Sequence, residues 1–160
     1  MAEMDPGARL LPANAFAITD PELIPTSRFH DPAFFQLECD HLWAHAWQMA
    51  CRLEQIPNLG DWIEYTILDK SVIVVRTANG VRAHHNHCRH RGVPIAGGKG
   101  NEHGNCKSKG FICPFHGWRW NMEGDCTFVY GRHMFSEDKL AADDLALRAC
   151  RVETWGGCAF

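Results

Sequence analysis

Two short segments place cysteine close to histidine, a combination that can bind metal. In CRHRG, Cys88 stands two residues before His90, and in CPFHGW, Cys113 stands three residues before His116. Each pair is flanked by glycine, which permits the backbone turns that bring a thiolate and an imidazole together. Two loops that each offer one sulfur and one nitrogen predict a single site with four ligands.

Zinc and iron both accept such a ligand set. Zinc binds two thiolates and two imidazoles in a tetrahedral structural site. A [2Fe-2S] cluster of the Rieske type instead has both thiolates on one iron and both imidazoles on the other. The short spacing of Cys88 and His90 favours the cluster, because adjacent ligands diverge toward two irons more easily than they chelate one. A structural zinc site remains the alternative.

The other cysteines and histidines are predicted to be structural. His84, His85 and His87 lie on the segment approaching Cys88 and are expected to be hydrogen-bonded or exposed. His103 and Cys106 form an H-x-x-C pair without a second pair to complete a site. Five cysteines have no spaced partner and are interpreted as small buried hydrophobic residues: Cys39, Cys51, Cys126, Cys150 and Cys158.

Charge and hydropathy exclude some classes of protein. The net charge is −3, but residues 80–120 contain seven lysines and arginines and one acidic residue. This imbalance indicates either ordinary solvated loops or an electropositive face that suits an acidic partner. Nucleic acid is a poor fit because the whole chain is acidic. The longest aliphatic run is VIVV at 72–75, too short for a membrane span, and no signal peptide is recognisable, so a cytoplasmic protein is predicted.

The elements that must position the four donors are mainly strands. Four prolines and no hydrophobic periodicity predict an extended arm over 1–25. Asp31 can cap a helix with Pro32 in its first turn, and the helix is expected to reach about Trp47, so that 26–47 is a helical lead-in. The remainder, 48–160, is predicted to be a domain of short antiparallel strands, in a small barrel or sandwich.

Turn residues divide this β domain. DWIEYTILD and SVIVVRT are predicted strands joined by a turn at DKS, and Asn79-Gly80 predicts the next hairpin. Glu123-Gly124 predicts another turn, and VETWGGCAF a final strand. The glycine-rich stretch from Gly92 to Gly110 has little strand character and is expected to be functional or disordered.

CRHRG followed by CPFHGW closely resembles the cluster motif of Rieske non-haem iron oxygenases, in the large subunit of aromatic ring-hydroxylating and related enzymes. The resemblance continues through WQMACRLEQIPNLGDW and VETWGG and covers 26–160. It implies a Rieske-type β fold in which Cys88 and Cys113 bind the buried iron and His90 and His116 the outer iron.

The same resemblance implies an electron-transfer role. Electrons would arrive from a reductase or a ferredoxin and leave for mononuclear Fe(II) in a catalytic domain, with an aromatic compound as the commonest substrate and a homo-oligomer as the usual assembly. No D-x-x-H-x-H-like segment for that iron is found here, so the chain is expected to be the front part of a longer polypeptide or a shortened gene product. A freestanding Rieske ferredoxin is the alternative.

The resemblance also predicts a low reduction potential. High-potential Rieske proteins of respiratory complexes have an additional cysteine in each loop and a serine after the second His-Gly. Val93, Phe115 and Trp118 stand at those positions here. Without the corresponding hydrogen-bond donors, an oxygenase-like potential is expected.

Overall fold

The computed structural model describes residues 17–18, 20, 22–98, 100 and 102–160. Residues 1–16, 19 and 21 of the predicted arm lie outside this part of the chain. The chain divides into two compact units, one ending at Ala46 and one covering Trp47–Phe160.

The first unit contains a 3-10 helix, Thr26–Phe29, and helix α1, Pro32–His41. The predicted start is confirmed, since Oδ1 of Asp31 accepts a hydrogen bond of 2.8 Å from the backbone N–H of Ala33. The predicted end near Trp47 is wrong. The N–H of Trp43 bonds to the carbonyl of Glu38 at 3.1 Å, five residues back, so the regular four-residue ladder of the helix breaks at this point.

The second unit is built from short antiparallel strands, and the mainly β fold class is confirmed. The strands are β1 Cys51–Arg52, β2 Asp61–Ile67, β3 Lys70–Thr77, β4 Gly80–His85, β5 His103–Asn105, β6 Phe111–Ile112, β7 Arg119–Trp120, β8 Cys126–Phe128, β9 Ala149–Cys150, β10 Thr154–Trp155 and β11 Cys158–Ala159. Within the described residues they form sheets in the orders β1-β11-β10, β5-β2-β3-β4-β9 and β6-β7-β8. The helical segments are Leu53–Gln55, Arg132–Met134, Glu137–Lys139 and α2 Ala142–Leu145.

Both predicted hairpins of the central sheet form, and each turn begins one residue earlier than the sequence predicted. Ile67 pairs with Lys70, so the first turn is formed by 68–69. Thr77 pairs with Gly80, which has a φ of +118° and begins β4 instead of lying within the turn. Because strand pairing alternates with a period of two, the pairing across the sheet and not the local dipeptide decides where each turn begins.

The C-terminal segment, predicted as one strand, is a hairpin. Trp155 of β10 pairs with Cys158 of β11, and the two residues between them, Gly156 and Gly157, have φ values of +57° and +79°. Two consecutive positive φ angles are what a tight type I′ turn requires, and glycine adopts them without strain. The same dipeptide that interrupts the predicted strand therefore reverses the chain.

Strand β3 separates two hydrophobic clusters. Ile73 and Val75 pack into one of them, whereas Val74 packs into the other, as the alternation of side chains along a strand requires. The first cluster also contains Cys88 and Cys113. The two predicted thiol donors therefore pack on one face of the central sheet. No helix in the described ranges is both long and apolar enough to cross a membrane.

Candidate metal centre

The loop after β4 carries the first pair of donors and is closed by two backbone hydrogen bonds. The N–H of Cys88 donates to the carbonyl of Val93 at 2.8 Å, and the carbonyl of Cys88 accepts from the N–H of Gly92 at 2.8 Å. Gly92 has a φ of +73°, a conformation that costs most other residues strain. His90 stands inside this closed turn.

The loop between β6 and β7 repeats the same design. The N–H of Cys113 donates to the carbonyl of Trp118 at 2.8 Å, and its carbonyl accepts from the N–H of Gly117 at 3.0 Å. Gly117 has a φ of +71°. The two cysteines thus begin turns of equal length and equal hydrogen bonding, and His116 stands inside the second turn.

The two loops bring all four predicted donors together. Cys88 and Cys113 are 5% and 2% exposed, and they lie close enough for the Cys113 thiol to add to the rise in the pKa of the Cys88 thiol that burial causes. The imidazole rings of His90 and His116 lie 4.8 Å apart between centroids, inclined at 64°. The arrangement is a pair of buried thiols beside a pair of half-buried imidazoles. In the described part of the chain, no three His, Cys, Asp or Glu side chains converge on one metal-ion position, whereas each iron of a Rieske cluster takes only two protein ligands.

The unpartnered nitrogens of the imidazoles fit a metal centre. Nδ1 of His90 and Nδ1 of His116 are buried, and neither has a hydrogen-bond partner among the described residues. A buried polar atom without a partner costs about 1–3 kcal/mol, and a bond to iron would remove that cost. Two thiols and two such nitrogens are the donor set of a [2Fe-2S] cluster of the Rieske type.

Electrostatics around the donors favours neutral imidazole. Burial, followed by the charges of His116 and Arg91, holds the pKa of His90 below its ordinary value. Burial raises the pKa of the Cys88 thiol, and hydrogen bonds from the backbone N–H groups of His90 and Arg91 oppose that rise. These N–H groups would stabilise a thiolate once a metal replaces the thiol proton.

Aromatic residues enclose the imidazoles on both sides. Trp118 is 4% exposed and stacks on His90 with 4.9 Å between centroids and 10° between planes. Phe135 contacts His90 edge-on at 5.9 Å. Phe115 lies 3.9 Å from the ring of His116 and is 59% exposed. Trp118 is therefore a core residue, and the imidazoles lie between a buried and an exposed aromatic group.

Sequence reasoning missed the buried Asn86, which stands two residues before Cys88. Its Oδ1 accepts hydrogen bonds from the N–H groups of Ile95 and Ala96 at 2.9 and 3.1 Å. Its Nδ2 donates to the carbonyl of Ala96 at 2.6 Å and to Oγ of Ser71 at 3.0 Å. Asn86 therefore ties the start of the first ligand loop to its end and to β3.

A second missed residue, Glu64 on β2, organises the glycine-rich stretch that follows. Glu64 is 2% exposed. Its carboxylate accepts hydrogen bonds from Oγ of Ser71 at 2.6 Å and from the N–H groups of Gly98 and Gly100 at 3.1 and 3.0 Å. A Cβ at Gly97 would lie 2.5 Å from Oε2 of Glu64, so only glycine lets the chain pass this close.

The stretch 92–110 was expected to be functional or disordered, and buried polar groups hold several of its described residues: Ile95, Ala96, Gly98 and Gly100. It also contains β5, which pairs with β2 through His103 opposite Ile63. The sequence offers no signal for Glu64, because a glutamate in a strand is exposed more often than buried. For Asn86 the sequence offers a weak signal, because this polar residue directly follows the last residue of β4.

The other donors take structural places. Cys106 is 4% exposed, and burial raises the pKa of its thiol to about 11. His103 is exposed on β5. His84 is buried, and its Nε2 lies 3.1 Å from the carbonyl of Met122. Of the five cysteines expected to be buried, only Cys51 is. The half-buried ones are Cys39, Cys126, Cys150 and Cys158.

Fold and site together define a small antiparallel β domain whose two loops form a centre of two thiols and two imidazoles. The sequence profile of the Rieske [2Fe-2S] domain matches residues 46–133. The chain therefore belongs to the Rieske [2Fe-2S] domain family, and the cofactor of that family is the [2Fe-2S] cluster.

Characterised relatives are oxygenases. Choline monooxygenase, chloroplastic, of Atriplex hortensis is 32% identical over 133 residues, which are 82% of this chain and 28% of that protein. The alpha subunit of biphenyl 2,3-dioxygenase of Rhodococcus jostii (strain RHA1) is 33% identical over 136 residues, covering 82% of this chain and 28% of that protein. The structure of naphthalene 1,2-dioxygenase from Rhodococcus sp. with bound indole superposes with a TM-score of 0.75 at 29% identity and covers 85% of this chain and 30% of that one. The chain thus spans less than a third of these relatives and corresponds to their Rieske part.

Proposed function

We propose that Cys88 and Cys113 bind one iron of the cluster, that His90 and His116 bind the other through Nδ1, and that the chain transfers electrons within an oxygenase. The observation that supports this assignment most directly is that His90 and His116, whose buried Nδ1 atoms have no partner among the described residues, lie 4.8 Å apart between ring centroids in loops of equal design. When bound, a Rieske cluster accepts and releases one electron at a time.

The residues of the chain would divide the work of this transfer. The thiols lie deepest, at 5% and 2% exposure, so the chain shields that end of the site from water. The imidazoles lie nearer the surface, with Phe115 exposed beside His116, and would provide the exit for the electron. Neutral imidazoles add no charge to the cluster. A cluster with two histidine ligands is therefore easier to reduce than a cluster with four thiolate ligands.

The rest of the enzyme is part of the proposal. Electrons would come from a reductase or a ferredoxin and pass to mononuclear Fe(II) in a catalytic domain, with 48–160 as the Rieske domain of a homo-oligomeric, cytoplasmic protein. As their names state, one relative acts on biphenyl, an aromatic compound, and another acts on choline. The aromatic substrate predicted from the sequence is therefore one of two substrate classes among these relatives. A free electron carrier is not favoured, because the matched relatives are oxygenases.

The ligand assignment is tested with two buried cysteines. The purified chain is expected to contain two irons and two acid-labile sulfides, and Cys113→Ser is expected to lose both because serine does not replace a thiolate on iron. Cys106→Ser is the matched control, since Cys106 is also buried and its carbonyl also accepts from the N–H of a glycine four residues on. One zinc per chain without sulfide would refute the assignment.

The imidazole ligands are tested by electron paramagnetic resonance of the dithionite-reduced protein. His90→Cys replaces a neutral ligand with an anionic one, so the Rieske signal should be lost or shifted toward that of a cluster with more thiolates. His103→Cys, at an exposed position of β5, should leave the signal unchanged. An unaltered spectrum in His90→Cys would contradict the proposal.

The reduction potential is expected near the lower end of the Rieske range of about −150 to +300 mV. Val93, Phe115 and Trp118 stand where high-potential proteins have two additional cysteines and a serine, so these positions offer neither the disulfide nor the serine hydroxyl of those proteins. A redox titration followed by absorbance measures the potential. A midpoint close to the upper end of the range would contradict this prediction.

A further inference from the structure

A basic cavity lies against the first ligand loop. It has a volume of about 430 Å³, and Cys88 contributes to its lining. Five of its lining side chains carry nitrogen: Lys70, His85, His87, Arg89 and Arg148. None of the described residues that line it is acidic. These residues come from the start of β3, from the end of β4 and its loop, and from the approach to β9, so the fold and not the local sequence assembles them.

The field inside the basic cavity is positive. Burial, and after it the charges of His87, Arg148 and Lys70, holds the pKa of His85 below its ordinary value. The rings of His85 and His87 lie parallel, with 6.4 Å between centroids and 21° between planes. The positive charges of Lys70 and Arg148 therefore act on the space around His85, and they favour an anionic group there.

The charges are available to a partner. Arg89 uses its Nε–H for the carbonyl of Asp144 at 2.9 Å, and a guanidinium has five N–H donors. Lys70 bonds to Asp69 at 2.8 Å, but both side chains of this pair are more than half exposed, so their attraction is weak and easily exchanged. Bidentate recognition of carboxylates is the usual role of such arginines.

We propose that the basic cavity is the docking point for carboxylates on the surface of the acidic protein that donates electrons to this domain. The inference rests on the proposed function. A protein surface is favoured over a small free anion because Lys70, His87 and Arg148 are exposed at the rim, whereas a small-ligand site buries most of its ligand. In the docked complex the donor loses one electron and the loaded chain gains it, and no bond forms or breaks.

Docking here would place the donor beside the cluster. Cys88 belongs both to the lining of the cavity and to the proposed ligands of the buried iron. An acidic group seated on Arg89 or Arg148 would therefore lie against the backbone that carries this ligand. Entry at the thiol end would leave the imidazole end free for the exit of the electron.

The test is stopped-flow reduction of the cluster-loaded chain by a reduced plant-type [2Fe-2S] ferredoxin, chosen as an acidic protein donor. Lys70→Glu combined with Arg148→Glu should lower the second-order rate constant by about tenfold or more at low ionic strength and weaken its dependence on salt. Reduced methyl viologen, a small cation, should reduce the variant at least as fast as the parent protein. Arg52→Glu is the control, because Arg52 is exposed and does not line the cavity.

Two results would overturn the docking site. The first is a rate constant with ferredoxin that falls no further in the double variant than in Arg52→Glu. The second is an unchanged rate with ferredoxin together with loss of inorganic phosphate binding, measured by calorimetry, which would assign the cavity to a free anion. An unaltered paramagnetic resonance spectrum in the double variant separates either result from failure of the cluster assignment itself.

Discussion

Asn86→Leu is expected to lower the free energy of unfolding by about 4 kcal/mol. Asn86 is 0% exposed, and leucine has a similar size but no polar atoms. The change would leave the N–H groups of Ile95 and Ala96 and the carbonyl of Ala96 buried without the partner they have now. Each such group costs about 1–3 kcal/mol, and the loop that carries Cys88 would lose the side chain that ties its start to its end.

Urea denaturation followed by circular dichroism measures this change, and iron content per chain measures its effect on the site. Asn121→Leu is the matched control. Asn121 also holds a turn with both ends of its amide, bonding to the carboxylate and the N–H of Asp125 at 2.9 Å, but those bonds are exposed to water. A loss of stability as large in Asn121→Leu as in Asn86→Leu would refute the special role of Asn86.

Glu64→Gln is expected to lower the free energy of unfolding by about 2 kcal/mol at pH 7, and the deficit should shrink in acid. Burial raises the pKa of the Glu64 carboxyl, but hydrogen bonds from Ser71, Gly98 and Gly100 outweigh it and hold the pKa below its ordinary value. Both carboxylate oxygens accept these bonds, so either orientation of the glutamine amide turns its NH₂ toward a donor.

The direction of the pH dependence follows from the lowered pKa. The contribution of Glu64 is fully present above the ordinary glutamate pKa of about 4.3 and is lost as the pH falls through the folded value. Urea denaturation at pH 7, 5, 4 and 3 should therefore show parent and variant converging below about pH 5. Glu54→Gln, at an exposed carboxylate paired with Arg52, should change the free energy of unfolding by less than about 0.5 kcal/mol throughout. A deficit of Glu64→Gln that stays constant down to pH 3 would contradict the prediction.

Prediction from sequence succeeded where a few adjacent residues decide the structure. Asp31 caps α1 as expected, and the hairpin before β4 forms near Asn79-Gly80, because these features depend on neighbours in the chain. The end of α1 and the turn at Gly156 were missed. The helix ends through one irregular backbone hydrogen bond, and the hairpin is stabilised by its pairing with β1, about a hundred residues earlier.

The sequence by itself determined the metal-binding class of this protein. Cysteine, histidine and glycine stand so close together in each loop that the turn and its donors are set within six residues, as in the span from Cys88 to Val93. Tertiary structure alone decided what holds and what surrounds those loops. Asn86 meets Glu64 from 22 residues away, and Arg148 reaches the cavity of Lys70 across the central sheet. Such meetings depend on strand order and burial, which no local pattern of residue types encodes.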